Sequence, residues 1–142
     1  MSKQISLTLA EVNELLNNLV GLVINRTWRG YGSAIFFEIG ELNEENIGQF
    51  TFTADKDWIL CLDDHDCISC DNLELDEMDQ LLDKFISSKI IDIKIDENSL
   101  VIALDNNKNI KVGDYQKDNW SLQIGDETSV FYKDGFLKEK GA

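Results

Sequence analysis

Two stretches of this chain share one pattern: LAEVNELLNNLV at residues 9–20 and LDEMDQLLDKFI at residues 75–86. Apolar residues recur in both at the spacing of one helix face, which predicts helices over 9–20 and 75–86. Thr8 followed by Glu11 predicts a capping box at the first helix, and Gly21 predicts its end. The apolar positions correspond at a constant offset of 66: Leu9 with Leu75, Val12 with Met78, Leu15 with Leu81, Leu16 with Leu82 and Leu19 with Phe85.

The similarity continues after both helices. LVINRTW, GYGS and AIFFEIG follow the first, and IIDIKID, ENS and LVIALDN follow the second, each typical of strand, turn and strand. Further on, DWILCLDDHDCISCDN aligns without a gap to NWSLQIGDETSVFYKD, now at an offset of 62. Internal duplication is the simplest explanation, with units at 5–73 and 74–136, although amphipathic helices and alternating strands also resemble each other by chance.

The predicted fold class is α+β, with each unit a helix followed by four to five short antiparallel strands. Units of this size would each be marginally stable alone, so we expect residues 1–142 to form one domain in which the units share one core. Short strands joined by short turns predict a meander. WRGYGSA at 28–34 is typical of a hairpin turn, where Trp28 either joins a contact surface or covers the sheet edge.

The stretch CLDDHDCISC at residues 61–70 holds all three cysteines and the single histidine. Cys61, His65, Cys67 and Cys70 are zinc-type ligands, which leaves a metal site open. Alignment with QIGDETSVFY instead predicts a hairpin, with Cys61 on its first strand and Cys67 and Cys70 on its second. Residues three apart on a strand point to opposite faces, so we expect no metal and no cofactor. The odd number and tight spacing of the cysteines argue against a disulfide scaffold.

Charge is the outstanding global property: 27 acidic and 13 basic side chains give a net charge of −14. Direct binding to nucleic acid or an anionic membrane is therefore disfavoured, whereas a basic protein surface is favoured. Between 55 and 83 there are eleven acids, and Lys56 is the sole lysine or arginine. ELNEEN at 41–46 would extend this surface. The predicted partner-binding residues are Asp63, Asp64, His65, Asp66, Asp71, Glu74, Asp76 and Glu77.

Signals for catalysis or membrane insertion are lacking in the sequence. It contains no nucleophile elbow and no phosphate-binding glycine loop, so we expect a non-catalytic protein. No apolar run approaches the length that a bilayer requires. The start, MSKQISLTLAEV, is unlike a secretory signal, and we expect a cytoplasmic location.

The layout LVGLVINRTWRGYGSAIFFEIG followed by DWILCL, together with the acidic segment, resembles bacterial immunity proteins of the contact-dependent growth inhibition and polymorphic toxin type. The resemblance implies a protein that neutralises a cognate toxin domain, expected to be a basic nuclease, by covering its active site or a nearby surface with acids. Two alternatives stay open. One is a nucleic-acid mimic that inhibits a DNA- or RNA-binding protein, and the other is a small metal-binding protein centred on Cys61, His65, Cys67 and Cys70.

Overall fold

The computed structural model describes residues 4–30, 32–70, 75–96, 99–113, 120–124, 128–133 and 136–141. Helix α1 spans Leu9–Asn17 and helix α2 spans Leu75–Asp83. The capping box of α1 is confirmed: the Glu11 amide donates to Thr8 Oγ1 at 3.2 Å, and the Thr8 amide donates to Glu11 Oε1 at 3.1 Å. Both helices are shorter than predicted because the chain then tightens into turns, in which the Leu19 amide donates to Leu16 O.

Two antiparallel sheets contain the strands of the described residues. The strands are β1 Gln4–Leu7, β2 Ile24–Arg29, β3 Ile35–Ile39, β4 Phe50–Ala54, β5 Trp58–Cys61, β6 Cys67–Ser69, β7 Ile90–Asp96, β8 Ser99–Leu104, β9 Asn109–Gly113, β10 Trp120–Ile124, β11 Thr128–Lys133 and β12 Phe136–Gly141. One sheet has the order β1-β12-β11-β10-β4-β3-β2, and the other has the order β6-β5-β9-β8-β7. The α+β class and the antiparallel strands are therefore confirmed.

The strand order differs from the predicted simple meander. β4 does not pair with β5, which follows it in the chain, but with β10, where Phe52 lies opposite Leu122. In the second sheet β5 pairs with β9, where Leu60 lies opposite Ile110. Each sheet thus combines strands from before and after α2, and the short connection at residues 55–57 carries the chain from one sheet to the other.

A reciprocal set of backbone hydrogen bonds joins the segments that follow the two helices. The Ile24 amide donates to Ser88 O at 2.9 Å, and the Ile90 amide donates to Leu22 O at 2.8 Å. Between them lies an antiparallel bridge from Val23 to Lys89. Donors and acceptors correspond at an offset of 66, so the two segments meet in a locally two-fold arrangement. The internal duplication itself stays a prediction.

Apolar alternation decides which side of each strand is buried. In β3, for example, Ile35, Phe37 and Ile39 are fully buried. Apart from Ala34 and Cys61, the buried hydrophobic side chains of the described residues pack in one cluster that includes Leu16 of α1 and Phe85 just after α2. No helix among the described residues is long and apolar enough to cross a membrane.

Candidate protein-binding site

The acidic loop, residues 62–66, is the turn of the β5–β6 hairpin. The prediction that Cys61 and Cys67 lie on opposite strands of this hairpin is confirmed, because the two residues are direct partners across the ladder. The loop is closed by the Leu62 amide, which donates to Asp66 O at 2.9 Å. Residues 63–67 are all exposed, so this turn presents three aspartates and His65 to solvent.

Asp63 shapes the acidic loop from within. Its Oδ1 accepts hydrogen bonds from the His65 amide at 2.7 Å and from the Asp66 amide at 2.9 Å. This is the local side-chain-to-backbone bonding that makes aspartate common in turns. The Asp63 carboxylate therefore orders the loop, while the exposed Asp64 and Asp66 carboxylates accept no such bond from the described residues and face solvent.

A disulfide joins Cys61 to Cys67 at the base of the acidic loop, with their Cα atoms 4.0 Å apart. The expectation from the odd number and tight spacing of the cysteines is wrong for this pair. Residues directly opposite on antiparallel strands bring their Cβ atoms close enough for a disulfide. The predicted hairpin already contained this signal, because it placed the two cysteines on facing strands.

The disulfide also changes the prospects of a zinc site. Metal-ligating cysteine is a thiolate, so Cys61 and Cys67 do not offer ligands while they are bonded to each other. Cys70, which was predicted on the second strand of the hairpin, instead follows the end of β6 at Ser69, and its amide donates to Trp58 O at 3.2 Å. Within the described parts of the chain, no group of three or more His, Cys, Asp and Glu side chains is placed to hold a metal ion.

Helix α2 carries the other described acids of the predicted surface. Asp76 and Glu77 are exposed in its first turn, where the helix dipole favours negative charge. Asp71 and Glu74 lie outside the described residues. The three-residue strand β6 separates the acidic loop from the segment leading to α2, a distance of about 10 Å along an extended chain. The predicted residues thus form two groups along the chain, before and after β6.

A salt bridge engages one acid of α2. Asp79 Oδ1 accepts from Arg29 Nε at 2.7 Å, and Asp79 Oδ2 accepts from Arg29 Nη2 at 3.3 Å. This paired hydrogen bond with Asp79, together with the nearby charge of Asp76, raises the pKa of the half-buried Arg29 guanidinium. The pair connects α2 to the end of β2. Asp79 is therefore partly neutralised, whereas Asp76 and Glu77 are the better candidates for contacting a partner.

A buried carboxylate, which the sequence did not single out, supports the connection from β3 to β4, which contains the acidic residues at 41–46. Glu38 in β3 is 1% exposed. Its Oε2 accepts from Trp28 Nε1 at 2.6 Å, and its Oε1 accepts from Thr51 Oγ1 at 2.5 Å and from the Gly48 amide at 3.1 Å. All three donors point at one carboxylate, so its burial is compensated by hydrogen bonds. Glu38 thereby ties the end of the 40–49 connection to the sheet.

Trp28 belongs to a stacked row on the same sheet face. Its ring lies parallel to that of Phe36 with centroids 3.7 Å apart, and the Arg26 guanidinium lies 5.8 Å from the Trp28 ring centroid. Arg26 Nη1 also donates to Asn46 O at 3.1 Å, which links the row to the acidic residues at 41–46. Phe36 stacks on the Trp28 ring, yet Trp28 stays 37% exposed, so its two predicted roles, joining a contact surface and covering the sheet edge, both stay predictions.

Comparison with known proteins gives no match: no family model, no curated protein and no solved structure corresponds to this chain. Exposed carboxylates on an ordered loop and on a helix are suited to pairing with the lysine and arginine side chains of another protein.

Proposed function

We propose that this protein is a non-catalytic inhibitor that neutralises a basic, nuclease-type toxin domain through an acidic docking surface. The observation that carries the proposal is the exposed acidic loop, in which Asp64 and Asp66 are displayed on a backbone that Asp63 holds in place. The exposed Asp76 and Glu77 of α2 supply the second part of the surface. The resemblance to toxin-immunity proteins points in the same direction.

Net charge supports a basic partner. With a charge of −14, the protein attracts a cationic surface over distances of about one Debye length, roughly 8–10 Å at physiological salt. A nuclease domain must present cations to its polyanionic substrate, so the same cations are available to an acidic inhibitor. Attraction of this kind raises the association rate and selects the partner, while the close contacts decide the lifetime of the complex.

Order in the acidic loop supports a tight complex. Binding by a mobile loop would cost the conformational entropy of ordering it, and a loop already held in one shape avoids much of that cost. Asp63 restricts residues 62–66, and the Cys61–Cys67 disulfide adds a second restraint while the chain is oxidised. The docking residues are thereby positioned before the partner arrives.

We further propose that the two units arose by internal duplication and then diverged, which would explain why the acidic residues are concentrated in one part of the chain. Support comes from the reciprocal bonds at an offset of 66 and from matching register shifts next to Ile24 and Ile90 in the two units. Apolar core positions are matched between the units, whereas the acidic stretch at 55–83 corresponds to residues 117–142, where five acids are nearly balanced by four lysines. A shared core for the two units and a cytoplasmic location complete the proposal.

The test is binding to a purified, catalytically inactivated basic nuclease domain encoded beside this gene. Asp64→Lys with Asp66→Lys reverses two exposed charges but leaves the Asp63 turn intact. We expect the association rate to fall by about 10-fold or more at low salt, and the effect to shrink as salt is added.

The matched control is Glu14→Lys with Asp92→Lys, which changes net charge equally at two exposed positions outside the predicted docking surface. That variant should lose less than the double aspartate variant. Equal losses from both would mean that only overall charge acts, and unchanged binding in the Asp64→Lys, Asp66→Lys variant would remove the acidic loop from the interface.

A further inference from the structure

The Cys61–Cys67 disulfide occupies a position from which it controls the acidic loop. It closes a ring around residues 62–66, with six residues of sequence separation between the two cysteines. One of its cysteines belongs to β6, which lies at the edge of its sheet and, among the described strands, pairs with β5 alone through Ile59↔Ser69, Leu60↔Ile68 and Cys61↔Cys67. A three-residue strand with one neighbour is weakly held by its backbone bonds alone.

The two bonded cysteines differ in their access to solvent. Cys61 is 1% exposed, whereas Cys67 is exposed at the start of the edge strand. A thiolate in solution can therefore approach the Cys67 side of the bond, and buried Cys61 becomes the leaving thiolate. The neighbouring carboxylates of Asp64 and Asp66 repel anionic reductants such as glutathione more than they repel a neutral dithiol.

We propose that the Cys61–Cys67 disulfide is a redox-sensitive latch that sets the order of the acidic loop. A small dithiol attacks Cys67 Sγ as its thiolate, the Sγ–Sγ bond breaks, and Cys61 leaves as a thiolate that takes up a proton. The second thiol of the reductant then displaces Cys67 and closes its own disulfide. Two electrons and two protons are thereby transferred to the protein, which ends with two thiols.

Reduction leaves the loop with fewer restraints. The turn then depends on the Leu62 amide bonded to Asp66 O and on the two bonds to Asp63 Oδ1. Because β6 is an edge strand, the loop and β6 can open together without disturbing the β5–β9 ladder. For the docking role, which rests on the proposed function, opening means that binding has to supply the ordering entropy and becomes weaker.

Amide hydrogen exchange on the oxidised and the dithiothreitol-reduced full chain tests the latch directly. We expect exchange at His65, Asp66 and Ile68 to become at least about 10-fold faster after reduction, and the melting temperature to fall by roughly 4–8 °C. Exchange at Ile110, on β9, should not change. Cys70→Ser should respond to reduction as the wild type does, whereas Cys67→Ser should behave as the reduced form under all conditions.

Two results would overturn the latch. One is a thiol titration under denaturing, non-reducing conditions that finds three thiols instead of one in air-oxidised protein. The other is equal exchange at His65 and Asp66 in both redox states. The docking proposal fails separately: a latch confirmed by exchange but no binding of the basic nuclease domain in either state would refute docking alone. Charge-dependent binding that is equally tight in both states would refute the latch alone.

Discussion

Truncating Glu38 to alanine should destabilise the protein strongly, because three hydrogen-bond donors converge on this buried carboxylate. A hydrogen bond to a charged group contributes about 1.5–3 kcal/mol. Truncation leaves all three donors without this partner, and Thr51 and the Gly48 amide lose it in a buried position. Removing a buried charge returns part of its desolvation cost. We therefore expect a loss of about 3 kcal/mol in the free energy of unfolding.

Equilibrium urea unfolding measures this loss as a shift in midpoint at constant slope. Glu41→Ala is the matched control, since it removes the same side chain from an exposed position two residues beyond β3, and it should stay within about 0.5 kcal/mol of the wild type. Thr51→Val keeps the side-chain shape and removes one donor, with an expected loss of about 1–2 kcal/mol. Because the two side chains share one bond, their double variant should lose less than the summed single losses.

A Glu38→Ala variant within about 0.5 kcal/mol of the wild type would show that the carboxylate contributes no net stability. Strict additivity in the Glu38→Ala, Thr51→Val double variant would show that the hydroxyl–carboxylate bond is not made in solution.

Two further predictions concern packing. Gly48→Ala should lower the free energy of unfolding by about 2–4 kcal/mol, because a Cβ there would lie 2.6 Å from the backbone atom Ile39 O. In the control Gly113→Ala, the Cβ would lie 3.5 Å from its nearest neighbour, Asp57 O, and stability should change by less than about 1 kcal/mol. Comparable losses for the two variants in urea unfolding would contradict this. Phe52 is fully buried where β4 pairs with β10, so Phe52→Ala should lower the free energy of unfolding by about 3–5 kcal/mol. Ile91 is 54% exposed, and Ile91→Ala should lower it by less than about 0.5 kcal/mol. Calorimetric melting in which Ile91→Ala is the more destabilised variant would refute the assigned burial.

Local signals in the sequence determined the elements themselves. Thr8 and Glu11 satisfy each other across three residues, and the helical spacing of Val12 and Leu16 selects one buried face, so α1 follows from short-range rules. Alternation of apolar residues likewise determined the buried side of β3. The hairpin that brings Cys61 opposite Cys67 was also predictable, because its turn and its strands lie within a few residues of each other.

Tertiary structure decided the pairings between distant strands and the burial of the Glu38 side chain. Many strands of this chain have the same apolar alternation, so nothing local tells β4 to pair with β10 instead of β5. Position 38 alternates with buried Phe37 and Ile39 and thus faces away from the core, where a glutamate is normally solvated. Trp28, ten residues earlier, and Thr51, thirteen residues later, bury it instead. Pairings and burial of this kind depend on which surfaces meet after the chain has folded, and that information is not contained in any short segment.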